Sequence, residues 1–358
     1  MHATPRQEQQ PAHEEVTEVA PGIRRMQLDV KIPGLGHVNC YAMEDDRGFA
    51  IMDPGMPGDE YYDVLLAALK RADIPMHRIH TVIITHAHPD HFGGAMRVHA
   101  DSGADIVTHE LFRTFFDPED GADSDPEQLA DDGFEDALKN SAFGKKVPWG
   151  GGNYEPLNNT DRDEMMLRMR DPLFRPRPTV RLVDADHIML AGRRFVALHT
   201  PGHTADHLCL FDPESGVLFT GDHVLPTITP HISGMHYGDD PLAAYFESLR
   251  RVQVLAGVTV ALPAHGDPFN NVSARVTDII QHHNERLETL VIASKEMGRP
   301  ATVAEMMQRL FRERSWGTMA ESETYAHLEH LRILGRADRT WDEEFALYDL
   351  SVSGRSAP

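Results

Sequence analysis

A histidine-rich stretch, THAHPDH at residues 85–91, has the residue types and the spacing of a metal site. It places His86, His88, Asp90 and His91 directly after HTVIIT, an apolar run typical of a buried strand. Alternation along an extended loop puts His86 and His88 on one side and turns Asp90 and His91 toward a neighbouring point. Imidazole and carboxylate groups bind Zn²⁺ and similar metals. The stretch therefore predicts a metal site rather than a polar surface turn.

Three later loops each add one candidate ligand at the end of a predicted strand. The Pro-Gly turn of HTPGHT presents His203, Asp222 follows the strand in FTGDH, and His265 follows the strand in VALPAHG. Strand ends are where α/β scaffolds collect functional side chains. We therefore expect these loops to bring His203, Asp222 and His265 to the same site as the histidine-rich stretch.

The order of these motifs, HxHxDH followed by His, Asp and His, resembles the metallo-β-lactamase superfamily over about residues 20–285. The resemblance implies an α/β (α+β) fold, a four-layer αβ/βα sandwich with a binuclear metal site between its two sheets. The implied ligands are His86, His88 and His203 for the first metal and Asp90, His91 and His265 for the second, with Asp222 as the bridge. Two such dications, about 3.5–4 Å apart, need anionic ligands and lower the pKa of a bridging water to about 7. We therefore expect a hydroxide nucleophile, with Asp90 and Asp222 as the catalytic carboxylates and Asp90 as a proton acceptor. Asp53, in the MDPG turn, matches the acidic residue that supports the site from behind the ligands.

The implied cofactors are two Zn²⁺ ions, with Fe and Mn as alternatives because histidine-rich sites also suit those metals. Flavo-diiron relatives carry a glutamate at the position of His88, which favours a hydrolytic metal pair here. Mono-iron sulfur dioxygenases keep the HxHxDH pattern, so they remain an alternative. Relatives that hydrolyse antibiotics lack the bridging aspartate, and Asp222 therefore argues against β-lactam hydrolysis.

Two further resemblances narrow the expected function. HTPGHT followed by Gly-Asp is similar to glyoxalase II-like thioesterases. The tail, with TVAEMMQRLF and ETYAHLEHLRILGRADR, is similar to the small winged-helix domain of the β-lactamase-like-2 group, which includes hydrolases and an endoribonuclease. The expected activity is hydrolysis of an ester, thioester or lactone of a small molecule. The alternatives are a metal-dependent endoribonuclease or phosphodiesterase, or a mono-iron sulfur dioxygenase.

The predicted elements divide the chain into three parts. Residues 1–20, rich in Gln, Glu and Pro, indicate a disordered leader. Alternating strands and helices predict a catalytic domain over residues 21–285, with a partly helical insertion at about 112–178 that is either a lid or a dimer arm. Residues 286–358 are predicted to form a helical, winged-helix-like domain.

Charge and cysteine content limit the partners. The net charge is −22, and residues 301–358 hold seven arginines, no lysine and ten acidic residues, which argues against nucleic acid as a partner. No run reaches the roughly 18 apolar residues of a membrane span. Cys40 and Cys209 lie in apolar runs typical of buried, reduced thiols, which favours the cytoplasm. We expect a small-molecule substrate and neither a membrane nor nucleic acid as a partner. A homodimer remains an open alternative to a monomer.

The loop after Asp222, HVLPTITPHISGMHYG, contains four candidates for lining the substrate pocket. They are His223, His231, His236 and Tyr237. The phenol of Tyr237 could donate a hydrogen bond to an oxyanion. The alternative is that these side chains belong to a loop that faces solvent.

Overall fold

Two β-sheets packed face to face form the centre of the chain. The computed structural model describes residues 6–114, 146–153, 171, 173–235 and 238–350. The first sheet has seven strands in the order of the sequence, antiparallel up to β4 and parallel from there on. Its strands are β1 (Thr17–Ala20), β2 (Ile23–Ile32), β3 (Leu35–Asp45), β4 (Gly48–Met52), β5 (Ile79–Ile83), β6 (Asp105–His109) and β7 (Val180–Leu182).

The second sheet has five strands in the order β12-β11-β10-β9-β8. All its pairs are antiparallel except the parallel pair of β11 and β12. Its strands are β8 (His187–Leu190), β9 (Arg193–His199), β10 (Leu208–Asp212), β11 (Val217–Gly221) and β12 (Val260–Pro263). The helices of the sandwich are α1 (Asp59–Arg71), α2 (Pro89–Phe92), α3 (Ala95–Ser102), α4 (Pro241–Gln253) and α5 (Val272–Met297).

The apolar side chains separate into three layers of core. Between the sheets, the ring of Tyr41 meets the edge of Phe219 with 5.3 Å between ring centroids. Helices α1 and α3 cover the outer face of the first sheet, and α4 and α5 cover that of the second. Successive side chains of a strand point to opposite faces, so a sheet that is apolar on both faces needs a partner on both sides. The predicted four-layer αβ/βα sandwich is confirmed.

Helix α1 shows how the sequence produces these layers. Asp59 and Glu60 lie at its amino end and Lys70 and Arg71 at its carboxyl end, so both ends complement the helix dipole. Leu65 and Leu69, four residues apart, lie on one face and are buried against the first sheet. Burying each of these leucines contributes roughly 1.5–3 kcal/mol.

The C-terminal residues form a small unit with its own three-stranded antiparallel sheet. Its elements are β13 (Ala301–Thr302), α6 (Val303–Leu310), α7 (Thr318–Ile333), β14 (Asp338–Trp341) and β15 (Ala346–Asp349). Met306 and Leu328 of this unit share a core with Val276 and Leu287 of α5. The likeness to a winged helix stays a prediction.

The domain boundary predicted between residues 285 and 286 falls inside a helix. Helix α5 continues through it, capped at its start by the side chain of Asn271 and ended by Gly298 in the left-handed conformation. A boundary inside one continuous helix would divide a single rigid element. The C-terminal unit therefore starts after Gly298, and its core is continuous with that of the sandwich.

The leader is also more structured than predicted. Residues 1–5 lie outside the described part, but 7–9 form a 3₁₀ turn and Thr17–Ala20 form the edge strand β1. The side chain of Glu8 is fully buried and accepts hydrogen bonds from the main chain of Thr227 and Ile228. Long-range contacts of this kind offset a composition that, taken alone, favours disorder.

Most of the predicted insertion at 112–178 lies outside the described residues. Whether the insertion is a lid or a dimer arm therefore stays open. Its described parts are anchored by aromatic side chains. The ring of Trp149 packs on Tyr325 of α7 at 5.2 Å between centroids, and Phe174 meets Phe92 of α2 at 5.8 Å.

Candidate metal centre

The ends of several strands converge on one point between the sheets. After β5, an irregular turn carries His86 and His88, and Pro89 then starts the short helix α2 that carries Asp90 and His91. Proline suits the first helical position because its fixed φ matches a helix and its missing N–H would have no partner there. Gly93 is required just after α2, since a Cβ at this position would lie 2.0 Å from the main-chain nitrogen of Pro57.

The first candidate group consists of His86, His88, His203 and Asp222, whose ligand atoms all lie within 4.8 Å of one another. Nδ1 of His88 lies 2.9 Å from Nε2 of His86 and 3.1 Å from Nε2 of His203. Two nitrogens that share a tetrahedral zinc ion at about 2.0 Å are separated by about 3.3 Å. The spacing of these imidazoles therefore fits a shared metal ion.

The second candidate group consists of Asp90, His91 and His265. Oδ2 of Asp90 lies 3.4 Å from Nε2 of each of the two histidines. Asp222 lies between the groups, with Oδ2 3.6 Å from Nε2 of His203 and Oδ1 3.3 Å from Nε2 of His265. All seven residues predicted as ligands thus meet at one place.

Three buried polar atoms test whether a metal fits here. Nε2 of His91, Nε2 of His265 and Oδ1 of Asp222 make no hydrogen bond within the described part of the chain. Leaving such atoms unpaired costs roughly 1–3 kcal/mol each. All three belong to the second group or lie between the groups, where a bound cation would satisfy them. The donor set, imidazole nitrogen with carboxylate oxygen, is that of borderline dications.

The electrostatics of the two groups differ. In the first, burial and then the neighbouring His203 lower the pKa of His88 to about 3, so this imidazole is neutral, as a metal ligand must be. In the second, burial opposes charge, but Asp222 and Asp90 outweigh it and raise the pKa of His265 to about 10. Burial alone would raise the pKa of Asp90, yet His91 and His265 hold it well below its usual value. The carboxylates of the second group therefore favour positive charge beside them, which either protons or a metal ion can supply.

Main-chain and carboxylate acceptors fix the ligand imidazoles from behind. Oδ2 of Asp53 lies 2.9 Å from Nδ1 of His91, and both carboxylate oxygens of Asp53 also accept from Thr85. Nδ1 of His203 donates to the carbonyl of His231 at 2.7 Å. An acceptor on one ring nitrogen fixes the tautomer and leaves the other nitrogen free to bind a metal. Asp53 holds a left-handed conformation, φ 54°, which aspartate tolerates better than most residues.

His207 and His37 were missed by the sequence analysis. His207 is fully buried, and its Nε2 accepts the main-chain N–H of Asp222 at 3.0 Å. The carbonyl of His37 accepts from Nδ1 of His265. One signal existed for His207, because TADH at 204–207 repeats the Asp-His pair of HPDH. Nothing local marks His37, since its main chain makes the contact.

The four substrate-lining candidates have different outcomes. The side chain of His223 is fully buried, packed against the rings of Tyr245 and His207, and its place in the pocket lining stays a prediction. His231 is partly exposed, and its ring lies beside Glu323. His236 and Tyr237 lie outside the described residues.

Comparisons with known proteins agree with this geometry. The sequence profile of the Metallo-beta-lactamase superfamily matches residues 33–265. The chain is 25% identical to a probable metallo-hydrolase, YqjP, of Bacillus subtilis over 88% of its own length and 95% of that protein. It is 30% identical to the atrochrysone carboxyl ACP thioesterase of Aspergillus fumigatus, over 38% of this chain and 45% of that enzyme.

Solved structures give the same result for the fold. A metallo-beta-lactamase family protein from Thermus thermophilus matches with a TM-score of 0.72 and 25% identity, over 93% of this chain and all of that one. A beta-lactamase domain protein from Burkholderia ambifaria matches with a TM-score of 0.73 and 26% identity, over 96% of both chains. Among the described residues, no helix has the length and apolar character that a bilayer crossing needs.

Proposed function

Because the chain belongs to the metallo-beta-lactamase superfamily, we propose that it is a hydrolase that uses two bound metal ions to cleave an ester, thioester or lactone of a small molecule. The observation that carries this proposal is the position of Asp222. Its Oδ1 lies 3.3 Å from Nε2 of His265 in the second group. Its Oδ2 lies between the groups, 3.6 Å from Nε2 of His203 in the first and 3.7 Å from Nε2 of His91 in the second. A single carboxylate between two histidine-rich groups is what two neighbouring dications require, because their mutual repulsion must be offset.

We assign Zn²⁺ to both positions, with Fe and Mn as alternatives, since nitrogen and oxygen ligands of this type suit all three. The ligands would be His86, His88 and His203 at one position and Asp90, His91 and His265 at the other, with Asp222 shared. Bound there, the two dications would supply hydroxide at neutral pH and positive charge opposite a developing oxyanion.

The chain's own residues prepare the site for this chemistry. The pKa of Asp90 lies well below its usual value, so this carboxylate is ionised at neutral pH, as both a ligand and a proton acceptor must be. Asp53 holds Nδ1 of His91 and thereby aims Nε2 at the centre. His86 and His91 are fully buried, and the exclusion of water around them strengthens every electrostatic contact inside.

Support for the substrate class comes from two sides. The fungal relative named as a thioesterase matches less than half of its own length, so its activity supports thioester cleavage only as a proposal for this chain. Asp222 counts against β-lactams as substrates, because relatives that hydrolyse antibiotics lack the bridging aspartate. Both cysteines are buried free thiols, which supports a reducing compartment such as the cytoplasm. We also propose that the substrate is a small molecule. If the chain associates, we expect it to form a homodimer.

The proposal is tested by measuring turnover of four probe classes by the full chain loaded with Zn²⁺. The probes are a p-nitrophenyl ester, an acyl thioester, a lactone and bis(p-nitrophenyl) phosphate. Cleavage of at least one of the first three, lost in His88→Ala, is the expected result. Cleavage of the phosphodiester alone would make the phosphodiesterase the better assignment. One iron per chain together with oxidation of a persulfide would instead support the sulfur dioxygenase.

A further inference from the structure

The segment that follows the bridging aspartate has no helix or strand of its own. This 223–235 segment supplies the carbonyl of His231, which accepts the hydrogen bond from Nδ1 of His203 at 2.7 Å. A segment without the regular main-chain hydrogen bonds of a helix or sheet is held in place by tertiary contacts to its polar groups. The orientation of His203 therefore depends on the residues that hold this segment.

The upstream half of the segment is held by the amino-terminal end of the chain. Oε1 of Glu8 accepts from the main-chain N–H groups of Thr227 at 2.7 Å and Ile228 at 3.1 Å, and Oε2 accepts from the hydroxyl of Thr227. Arg275 of α5 completes this contact by donating to the carbonyls of Leu225 and Ile228, both at 2.7 Å. Glu8 is fully buried, so its carboxylate depends on these donors.

The downstream half is held by helix α7 of the C-terminal unit. Oγ of Ser322 accepts the N–H of Gly234 at 3.1 Å, and Oε2 of Glu323 lies 3.4 Å from Nδ1 of His231. Glu323 is fixed in turn by an ion pair with Arg286 of α5. A Cβ on Gly234 would lie 2.6 Å from the ring of Tyr325 and 2.9 Å from the carbonyl of Ser322, so the segment rests directly on the helix.

We propose that Glu8 and Glu323, from opposite ends of the chain, are positioning residues for the metal ligand His203, which they orient by fixing the 223–235 segment and its His231 carbonyl. This inference rests on the proposed function only in taking His203 as a metal ligand. Because the His231 carbonyl accepts a hydrogen bond from Nδ1 of His203, it stabilises the tautomer that is protonated at Nδ1. Nε2 is then unprotonated and can bind the metal ion of the first group. Loss of either glutamate lets the carbonyl move, and His203 then loses both its fixed orientation and its fixed tautomer.

The test is a titration of the full-length, metal-free chain with Zn²⁺ against a chelator of known affinity. Glu8→Gln and Glu323→Gln each replace an acceptor-only carboxylate with an amide that fits these donors poorly. Changes in groups that orient metal ligands typically lower metal affinity by about 10- to 100-fold. We expect about a tenfold loss at one of two metal positions in each variant, with the other unchanged. Co²⁺ loading should show a changed visible spectrum for the same position.

Glu329→Gln is the matched control. Glu329 is a buried glutamate on the same helix, but its partners, Arg332, Arg339 and Tyr348, all belong to the C-terminal unit. It should lower the melting temperature of the metal-free chain about as much as Glu323→Gln while leaving both affinities unchanged. The Glu323 change also leaves Arg286 without its ion-pair partner. Ser322→Ala therefore serves as a milder second variant, which should lower the Zn²⁺ affinity of the same metal position by a smaller factor.

Three results would overturn the inference. The first is unchanged Zn²⁺ affinity and an unchanged Co²⁺ spectrum in both Glu8→Gln and Glu323→Gln. The second is an equal loss of affinity in the Glu329 control, which would indicate general destabilisation. The third is a third metal ion that Glu323→Gln removes, because His283 and His327 lie with Glu323 in another group of ligand type. A wild-type chain that bound no metal would refute the proposed function instead, so the two failures are distinguishable.

Discussion

The main-chain N–H of Asp222 donates to Nε2 of His207 at a distance of 3.0 Å. His207 stands outside both ligand groups, yet it holds the main chain of Asp222, the proposed bridge. Its Nδ1 meets the hydroxyl of Thr200 at 2.8 Å, so the ring is held on both sides. Gly221 leaves room for this contact, since a Cβ there would lie 2.7 Å from Nε2 of His207.

Replacing His207 by alanine should weaken metal binding without touching a ligand. The change leaves a buried N–H without an acceptor, at a cost of roughly 1–3 kcal/mol, and frees the bridge. We expect metal affinity to fall by about 10- to 100-fold, measured by competition with a chelator. His77→Ala, at a position outside the core, is the control. Unchanged affinity in the His207 variant would mean that the bridge is positioned by other contacts.

The purified chain should contain two metal ions, mostly Zn²⁺. Seven ligand-type residues converge in two adjoining groups, and three of their buried atoms lack partners within the described residues. Elemental analysis of protein prepared without chelators measures the content. His86→Ala together with His88→Ala should remove at least one ion. If the wild-type chain carries no metal and this double variant is unaltered in stability and activity, the metal centre does not exist.

Asp222→Ala should abolish most turnover on a verified substrate while the fold remains. Removing the shared carboxylate takes away the charge that permits two ions side by side. We expect a fall in kcat of about a thousandfold, which corresponds to about 4 kcal/mol in the barrier. Asp222→Asn, which preserves size, should behave similarly, and circular dichroism checks the fold. Turnover within a few-fold of wild type in either variant would contradict the mechanism.

Metal-free protein should lose stability as the pH rises above neutrality. Asp222 and Asp90 outweigh burial and raise the pKa of His265 from 6.5 to about 10 in the folded state. A raised pKa contributes stability that is fully present below the unfolded value of 6.5 and disappears as the pH passes through about 10. Melting temperatures of the metal-free chain should therefore fall across this interval. The zinc-loaded chain should show a smaller fall, because the metal replaces the proton. A flat profile for the metal-free chain would exclude this role of His265.

Generic nucleic acid should not bind at physiological salt. The chain carries a net charge of −22, and residues 301–358 contain no lysine. Binding to phosphate backbones depends on clustered Lys and Arg and weakens steeply with salt. Gel-shift titrations of the full chain at two salt concentrations are the measurement. Micromolar or tighter binding that weakens with salt would place an endonuclease ahead of the small-molecule hydrolase.

Deleting residues 300–358 is expected to damage solubility, since Met306 and Leu328 complete a core shared with α5.

The residues that meet in the two candidate ligand groups could be selected from the sequence because their chemistry is local. Histidine and aspartate at strand ends are rare in combination, and strand ends in a sandwich meet at one edge. The apolar spacing and the end residues of helices α1 and α5 are local signals of the same kind. Every such signal is contained in neighbouring residues.

The remainder depends on contacts between distant parts of the chain. The residues around Glu8 have the composition of a disordered leader, and the hydrogen-bond partners of Glu8 lie 219 and 220 residues away in the sequence. His223 stands beside a ligand in a polar-looking loop, yet the aromatic ring of Tyr245 buries it. The core that joins α5 to the C-terminal unit is also formed by residues far apart in sequence, such as Val276 and Leu328. In each case the deciding neighbour is remote in sequence and carries no local signature.

The proposed dependence of His203 on Glu8 and Glu323 has a consequence for biosynthesis. A ribosome releases His86, His203 and His265 well before it reaches Glu323, which lies on a late helix. Domains fold as they emerge, amino-terminal parts first. The carbonyl that orients His203 therefore gains its last support only after Glu323 has been synthesised. Zinc should be acquired at full strength only by chains that include Glu323, and a product terminated before this residue would be a poor competitor for the cell's metal supply.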